Sequence, residues 1–191
     1  MDALLLDFPE SFESDRLTIR APRPGDGAEI NSAVRETFDD LKPWMPWAQQ
    51  MPTLEESESF VRRSQCDFLA RKDLMLFLFL KGTDTLVGGS GLHRINWDIP
   101  KFEIGYWCRK CFQGQGYITE STEAITKFAF ETLGAKRVEI RCDSKNVRSR
   151  RIPDRLEFKL EGTFRNDSLS PSGELRDTLV FAKIEENVQE A

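Results

Sequence analysis

Phe102-Glu103-Ile104-Gly105-Tyr106-Trp107-Cys108 leads, after Arg109 to Phe112, into Gln113-Gly114-Gln115-Gly116-Tyr117. The first segment alternates with period two, so Phe102, Ile104, Tyr106 and Cys108 face one way and Glu103, Gly105 and Trp107 the other. Behind the glycines, Ile118, Ile125, Phe128, Ala129 and Leu133 recur at helical spacing, and Gly134 is placed to end that helix. The passage therefore reads strand, glycine turn, long amphipathic helix, which is an α/β signature. Glycines at such a junction let the backbone turn tightly and approach a ligand closely. The helix start adds unpaired N–H groups with partial positive charge, a setting that takes a pyrophosphate without lysines. A tight turn with no ligand is the other reading of the same residues.

Outward from this core the chain keeps the same grammar. Leu17 to Arg20 alternates as a first strand, and Pro22 to Asp26 is turn chemistry with Asp26 placed to cap the next helix. Ile30, Ala33, Val34 and Phe38 mark that helix, and Pro43-Trp44-Met45-Pro46-Trp47 ends it in a stiff aromatic loop. Thr53 with Glu56 has the form of a capping box, opening a helix whose apolar side is Phe60, Val61 and Phe68. Leu74 to Leu80 is apolar on both faces, as a central strand requires. Lys81 to Asp84 turns the chain into the strand from Leu86 to Leu92. Beyond the long helix come a strand at Val138, Ile140 and Cys142, and a short helix from Asn146 to Leu156 that Pro153 predicts to be kinked or interrupted. Strands around Phe158–Phe164 and Leu175–Ile184 close the fold, with Asp167 to Gly173 as the loop between them and a polar tail from Glu185 to Ala191. Residues 1–191 read as one domain.

Composition removes many functions. The 191 residues carry 27 Lys and Arg against 32 Asp and Glu, a net charge of −5, which disfavours nucleic-acid binding. The longest apolar run, Leu74 to Leu80, is strand-sized, so no membrane association is expected. Met1 to Asp7 lacks the basic start of a secretion signal, and the four cysteines read as reduced thiols, with Cys108 and Cys111 as small buried hydrophobes. The expected compartment is the cytoplasm. His93 is the single histidine and reads as a surface or hydrogen-bonded structural residue. No metal site is expected, since Cys108 and Cys111 have no second pair at zinc-ribbon spacing.

The motifs taken together, Phe102 to Trp107, the Gln-Gly-x-Gly loop and Asn146-x-x-Ser149-x-Arg151, resemble the GNAT-type N-acetyltransferase superfamily. The nearest likeness is to its ribosomal-protein N-terminal acetyltransferase branch. Ser14 to Arg20, Leu41-x-Pro43-Trp44-Met45-Pro46-Trp47, Phe158 to Gly162 and Arg176-Asp177 carry the likeness from about Ser14 to Ile184. The resemblance implies an α+β fold: a mixed, mostly antiparallel sheet with a splayed central strand pair and helices on both faces. It implies acetyl-CoA as cosubstrate, without a metal. The amides of Gln113, Gly114, Gln115, Gly116, Tyr117, Ile118 and Thr119 would hold the pyrophosphate. The backbone at Tyr106, Trp107 and Cys108 would pair with the pantetheine amides, and Asn146 would bond the cofactor arm. Two departures are visible. Ile118 stands where the family has Gly or Ala, and Glu157 where it has Gly.

Acetylating an amine requires a base for the acceptor and favours a proton donor at the departing thiolate. Glu103, on one strand face with Trp107, is the candidate base, its pKa raised by desolvation; a strand-surface or ion-paired glutamate is the other reading. Many family members place a tyrosine on the later helix as the acid. Here the two tyrosines are Tyr106 and Tyr117, so the resemblance leaves Ser149 as thiolate stabiliser, against an ordinary hydroxyl near a helix start. Trp44 and Trp47 are candidate walls of the acceptor site, or core packing. Lys145, Arg148, Arg150, Arg151 and Arg155, with Arg109 and Lys110, form a locally basic segment, or a solvated face. The expected activity is direct acetyl transfer in a ternary complex to a primary amine, foremost the α-amine of a ribosomal or other protein N-terminus. A small-molecule amine or antibiotic, and a non-catalytic acyl-CoA-binding module, are the alternatives. Assembly as a homodimer stays open.

Overall fold

The computed structural model describes residues 2–185; the expected tail lies, apart from Glu185, outside the described residues. Strands β1 (Ser11–Glu13), β2 (Leu17–Arg20), β3 (Leu74–Leu80), β4 (Leu86–Asn96), β5 (Lys101–Cys108), β6 (Arg137–Asp143), β7 (Lys159–Leu169) and β8 (Leu175–Ile184) form one sheet in the order β1-β2-β3-β4-β5-β6-β8-β7. Every neighbouring pair is antiparallel except β5 and β6. Among the described residues four α-helices cover the sheet: α1 (Gly27–Leu41), α2 (Leu54–Leu69), α3 (Tyr117–Glu131) and α4 (Val147–Arg155).

The period of the strands decides which helix sits where. On β3, Phe77 and Phe79 join Ile30 and Val34 of α1 and Val61 of α2 in one buried cluster. Leu74, Leu76 and Leu78 turn the other way, into a cluster with Ile125, Phe128 and Ala129 of α3. Successive side chains of a strand point to opposite faces, so a strand apolar at every position needs helices on both.

The ladder between β5 and β6 is short. It pairs Lys101 with Arg137, Phe102 with Val138 and Glu103 with Glu139, and then stops although both strands continue. Its other edge stays paired to β4 as far as Cys108. This is the expected splay.

The capping box at Thr53 forms, the hydroxyl accepting from Glu56 N–H while the Glu56 carboxylate accepts from Thr53 N–H. Asp26 occupies the N-cap of α1 but does not cap it, because Arg20 takes both its oxygens at 2.7 and 2.8 Å. Pro153 does not interrupt α4, which continues through it to Arg155. Asp167 to Leu169 are strand, not loop, since β7 pairs with β8 as far as Leu169↔Leu175. Phe60 leaves the apolar side of α2 and stands partly exposed.

Candidate active site

Where β5 and β6 part, a cavity of about 860 Å³ opens. Side chains from both faces of β5 line it: Glu103 and Trp107 from one, Ile104 and Tyr106 from the other. The cavity therefore passes through the plane of the sheet. On the α1/α2 side its walls are Trp44, Trp47 and Phe60. Trp47 meets Trp107 edge-on, with ring centroids 6.2 Å apart. On the α4 side the walls are Cys142, Asn146 and Ser149, and Asp167, Ser168 and Arg176 of β7 and β8 form the rim.

Gly89 of β4 lines this space, with Gly88 just before it. A Cβ at Gly89 would come within 2.5 Å of Trp107 Nε1, and one at Gly88 within 2.2 Å of the Trp107 carbonyl oxygen. Only bare backbone lets the indole lie across the neighbouring strand.

Glu103 sits at the parting of the strands. Its Oε2 is buried without a hydrogen-bond partner, flanked by Arg141 Nε at 3.4 Å and Arg94 Nε at 3.5 Å. Burial pushes its pKa up; the two arginines pull it down, and the net position is above the ordinary carboxylate range. The desolvation expected at this carboxylate is present, and so are ion-pair partners.

Ser149 lies across the cavity in the first turn of α4. Its N–H donates to Asn146 Oδ1 at 3.1 Å, so Asn146 is the N-cap of α4 and keeps its amide NH₂ free of that duty. The hydroxyl of Tyr106 donates to the Ser149 carbonyl at 3.0 Å and lies 3.2 Å from Ser149 Oγ. A tyrosine of β5 thus stands against the helix that carries none of its own. Nothing local in the sequence announces this contact. Burial raises the pKa of Tyr106 and pushes Cys142, beside it, up to about 11.

The glycine loop stands apart; none of Gln113 to Thr119 lines the cavity. Gly114 and Gly116 have φ of +75° and +84°, and a Cβ at Gly114 would meet nothing within 4 Å. Among the described residues no protein group accepts from the N–H groups of Gly114, Gln115 or Gly116, which precede the 15-residue helix α3. An open row of amides at the positive end of a helix fits the phosphates of coenzyme A. Ile118 raises no obstacle, because its side chain is buried in the core. Arg16 joins the loop from the end of β1: it donates to the Gln115 carbonyl at 3.2 Å, covers the Tyr117 ring at 4.1 Å and pairs with Glu120 at 2.6 Å. That pairing offsets a carboxylate in the first turn of α3, which would otherwise repel an anion.

Several single residues are placed more sharply than their sequence suggests. Arg109 is not part of a basic patch, because Glu29 at 2.7 Å and Glu36 at 2.6 Å hold it against α1. Cys111 is exposed, while Cys108 is half-buried with its thiol pushed up to about 12 by burial. Arg148 turns to Gln113 Oε1 at 3.2 Å, and Arg150 to Asp154. His93 is hydrogen-bonded, its Nδ1 lying 2.8 Å from Asp73 Oδ2, and it also faces the cavity.

Residues 16–159 match the acetyltransferase (GNAT) domain family. The chain belongs to the GNAT acetyltransferase family. It is an acetyl-CoA-dependent N-acetyltransferase. This GNAT enzyme is 28% identical over 173 residues, 88% of its length and 91% of the other's, to YdaF of Bacillus subtilis (strain 168), whose name provisionally assigns it as a ribosomal N-acetyltransferase. It is 29% identical over 124 residues, 63% of this chain and 69% of the relative, to the ribosomal-protein-serine acetyltransferase of Escherichia coli (strain K12). Its fold matches that of RimL, a ribosomal L7/L12 α-N-protein acetyltransferase in complex with coenzyme A, with TM-score 0.85 and 23% identity over 92% of this chain and 98% of that one. Among the described residues no helix is long and apolar enough to cross a membrane, and no cluster of His, Cys, Asp and Glu is arranged for a metal.

Proposed function

We propose that this GNAT enzyme acetylates the α-amine of a protein N-terminus, a ribosomal protein foremost, by direct transfer within a ternary complex in the cytoplasm. The observation that carries the reading is the cavity through the sheet, with Glu103 on its α1/α2 side and Ser149 with Tyr106 on its α4 side. A donor arm and an acceptor entering from opposite faces would meet at the parting of β5 and β6. Acetyl-CoA supplies a thioester whose acetyl group is activated for transfer to nitrogen. The relatives named for ribosomal proteins favour a protein acceptor.

Each residue then has a task. The N–H groups from Gly114 to Thr119 bind the pyrophosphate, that of Gln113 being already given to the Lys110 carbonyl at 3.2 Å. The free edge of β5 at Tyr106, Trp107 and Cys108 pairs with the pantetheine amides, and Asn146 reaches the same arm with its NH₂. Trp44 and Trp47 orient the acceptor main chain against rigid aromatic faces. Glu103 takes a proton from the acceptor ammonium, for which a raised carboxylate pKa brings it closer to neutrality. The Ser149 hydroxyl, with Tyr106 behind it, stabilises the thiolate by hydrogen bonding, and sulfur takes its proton from solvent.

Mass spectrometry of a panel of peptide N-termini and small amines, incubated with the enzyme and acetyl-CoA, tests this. Addition of one acetyl group at peptide α-amines is the expected result. Acetylation confined to small amines, or to lysine side chains, would replace the acceptor; no acetylation of any amine would return the chain to an acyl-CoA-binding module.

A further inference from the structure

His93 stands directly opposite Glu103 in the β4–β5 ladder, on the same face of the sheet. Its imidazole lies over two glycines. A Cβ at Gly91 would be 2.8 Å from His93 Cε1, and one at Gly105 3.2 Å from Cδ2. Those bare positions seat the ring on the cavity floor between Glu103 and Trp107. The Asp73 carboxylate lies 2.8 Å from Nδ1, and an ionised carboxylate only accepts. The proton of the neutral ring therefore sits on Nδ1, leaving the lone pair on Nε2. Among the described residues no protein group hydrogen-bonds Nε2, and the side chain keeps 25% of its surface exposed. The charged groups facing this ring or sharing its cavity are Asp73, Glu103, Arg94, Arg141 and Glu56, together with Asp143, Asp167 and Arg176.

Converting an ammonium to an amide removes two protons from nitrogen. One leaves before attack, the other after the N–C bond has formed. Glu103 holds one proton at a time, so a single carboxylate does not cover both.

We propose that His93, its tautomer fixed by Asp73, is a second proton acceptor at the acceptor nitrogen. In the step assigned to it an N–H bond of the acylated nitrogen breaks and its electron pair stays on nitrogen as the amide forms. The proton passes to Nε2, and Asp73 stabilises the imidazolium. Of the two protons shed, one reaches solvent and the other balances the one gained by sulfur. The proposal rests on the reading of this cavity as the acceptor site.

The test uses the full chain and whichever amine in the panel the wild type acetylates. His93→Gln is expected to lower kcat about 100-fold, a typical loss for one acid–base group, with KM for acetyl-CoA unchanged. Asp73→Asn keeps the ring but frees its tautomer, and is expected to lower kcat about 10-fold. His93→Ala should regain part of its rate when imidazole is added to the buffer, a response that a packing role would not give. Melting curves with and without coenzyme A establish that each variant is folded. Wild-type kcat in His93→Gln, or slow His93→Ala with no response to imidazole, overturns the proposal. If Glu103→Gln is slow while His93→Gln is not, the acceptor site stands and the second base falls; if both retain full rate, the acceptor-site reading falls with it.

Discussion

The hydroxyl of Tyr106 donates to the carbonyl oxygen of Ser149 at 3.0 Å, the acceptor that a residue at position 153 would satisfy in an unbroken helix. Pro153 has no N–H to give. The proline thus opens a gap in the backbone ladder of α4, and a side chain from β5 fills it. The same hydroxyl comes within 3.2 Å of Ser149 Oγ, and with its one proton given to the carbonyl it accepts there.

Removing either hydroxyl should separate chemistry from binding. Ser149→Ala is expected to lower kcat at saturating acetyl-CoA by about 10- to 100-fold with KM little changed, because the loss falls on charge developing at sulfur. Tyr106→Phe should reduce kcat as well. It should also cost about 1–3 kcal/mol of stability, since the Ser149 carbonyl loses its partner. Steady-state kinetics and denaturant titration read the two effects.

Glu103→Gln is expected to slow acetyl transfer about 10² to 10⁴-fold near neutral pH, with recovery as rising pH deprotonates the acceptor in solution. In the wild type the rate should fall on acidification through a value above the ordinary carboxylate range. The same shift has a sign for stability. A carboxyl whose pKa is raised by folding is ionised at a cost to the folded state, felt at neutral pH and relieved as pH drops below the unfolded value. The variant should therefore melt no lower than wild type, and at acidic pH the two curves should converge.

Gly116→Glu tests the amide row. A side chain there places bulk and negative charge where the phosphates would bind, at a φ of +84° that L-residues resist. Coenzyme A is expected to raise the melting temperature of the wild type, as any ligand of the native state does, and to leave the variant unmoved. An unchanged shift would place the pyrophosphate elsewhere.

Glu157 ends α4 in the left-handed region, with φ +58°, at the position where the sequence departs from the family glycine. Its side chain is exposed. Glu157→Gly removes the steric penalty of about 1 kcal/mol, less the extra freedom glycine gains when unfolded. A rise in melting temperature of about 1–3 °C is expected, with kcat unaltered; calorimetry beside an activity assay measures both.

Short-range pattern carried the fold, and long-range pairing hid parts of the site. The alternation of β5, the capping box at Thr53 and the stripe of α3 are local, so each was readable. Asp167-Ser168-Leu169 sits among turn-forming residues, yet β8 draws it into a strand through Ser168↔Arg176 and Leu169↔Leu175. Arg109 looked like one of several free cations because Glu29 and Glu36 arrive from a helix far back in the chain. β1 is only three residues long, too short for a period to declare itself. His93 had a faint trace in the sequence: Gly89 and Gly91 share its strand parity, leaving the face bare for rings to cover.

Helix α1 is bolted along its second half to the chain entering the glycine loop. Lys110 N–H donates to Thr37, Cys111 N–H to Glu36 and the Gln113 amide to Asp40, besides the grip on Arg109. That same end of the helix runs directly into the Trp44–Trp47 segment. The chain entering the glycine loop and the aromatic segment therefore share one end of a stiff rod, and on the proposed reading a nucleotide settling at the first would steady the second. The arrangement predicts an order of binding: donor first, acceptor second. Hydrogen exchange should register it as slower exchange at residues 42–50 when coenzyme A alone is bound, with the slowing lost in Glu36→Ala.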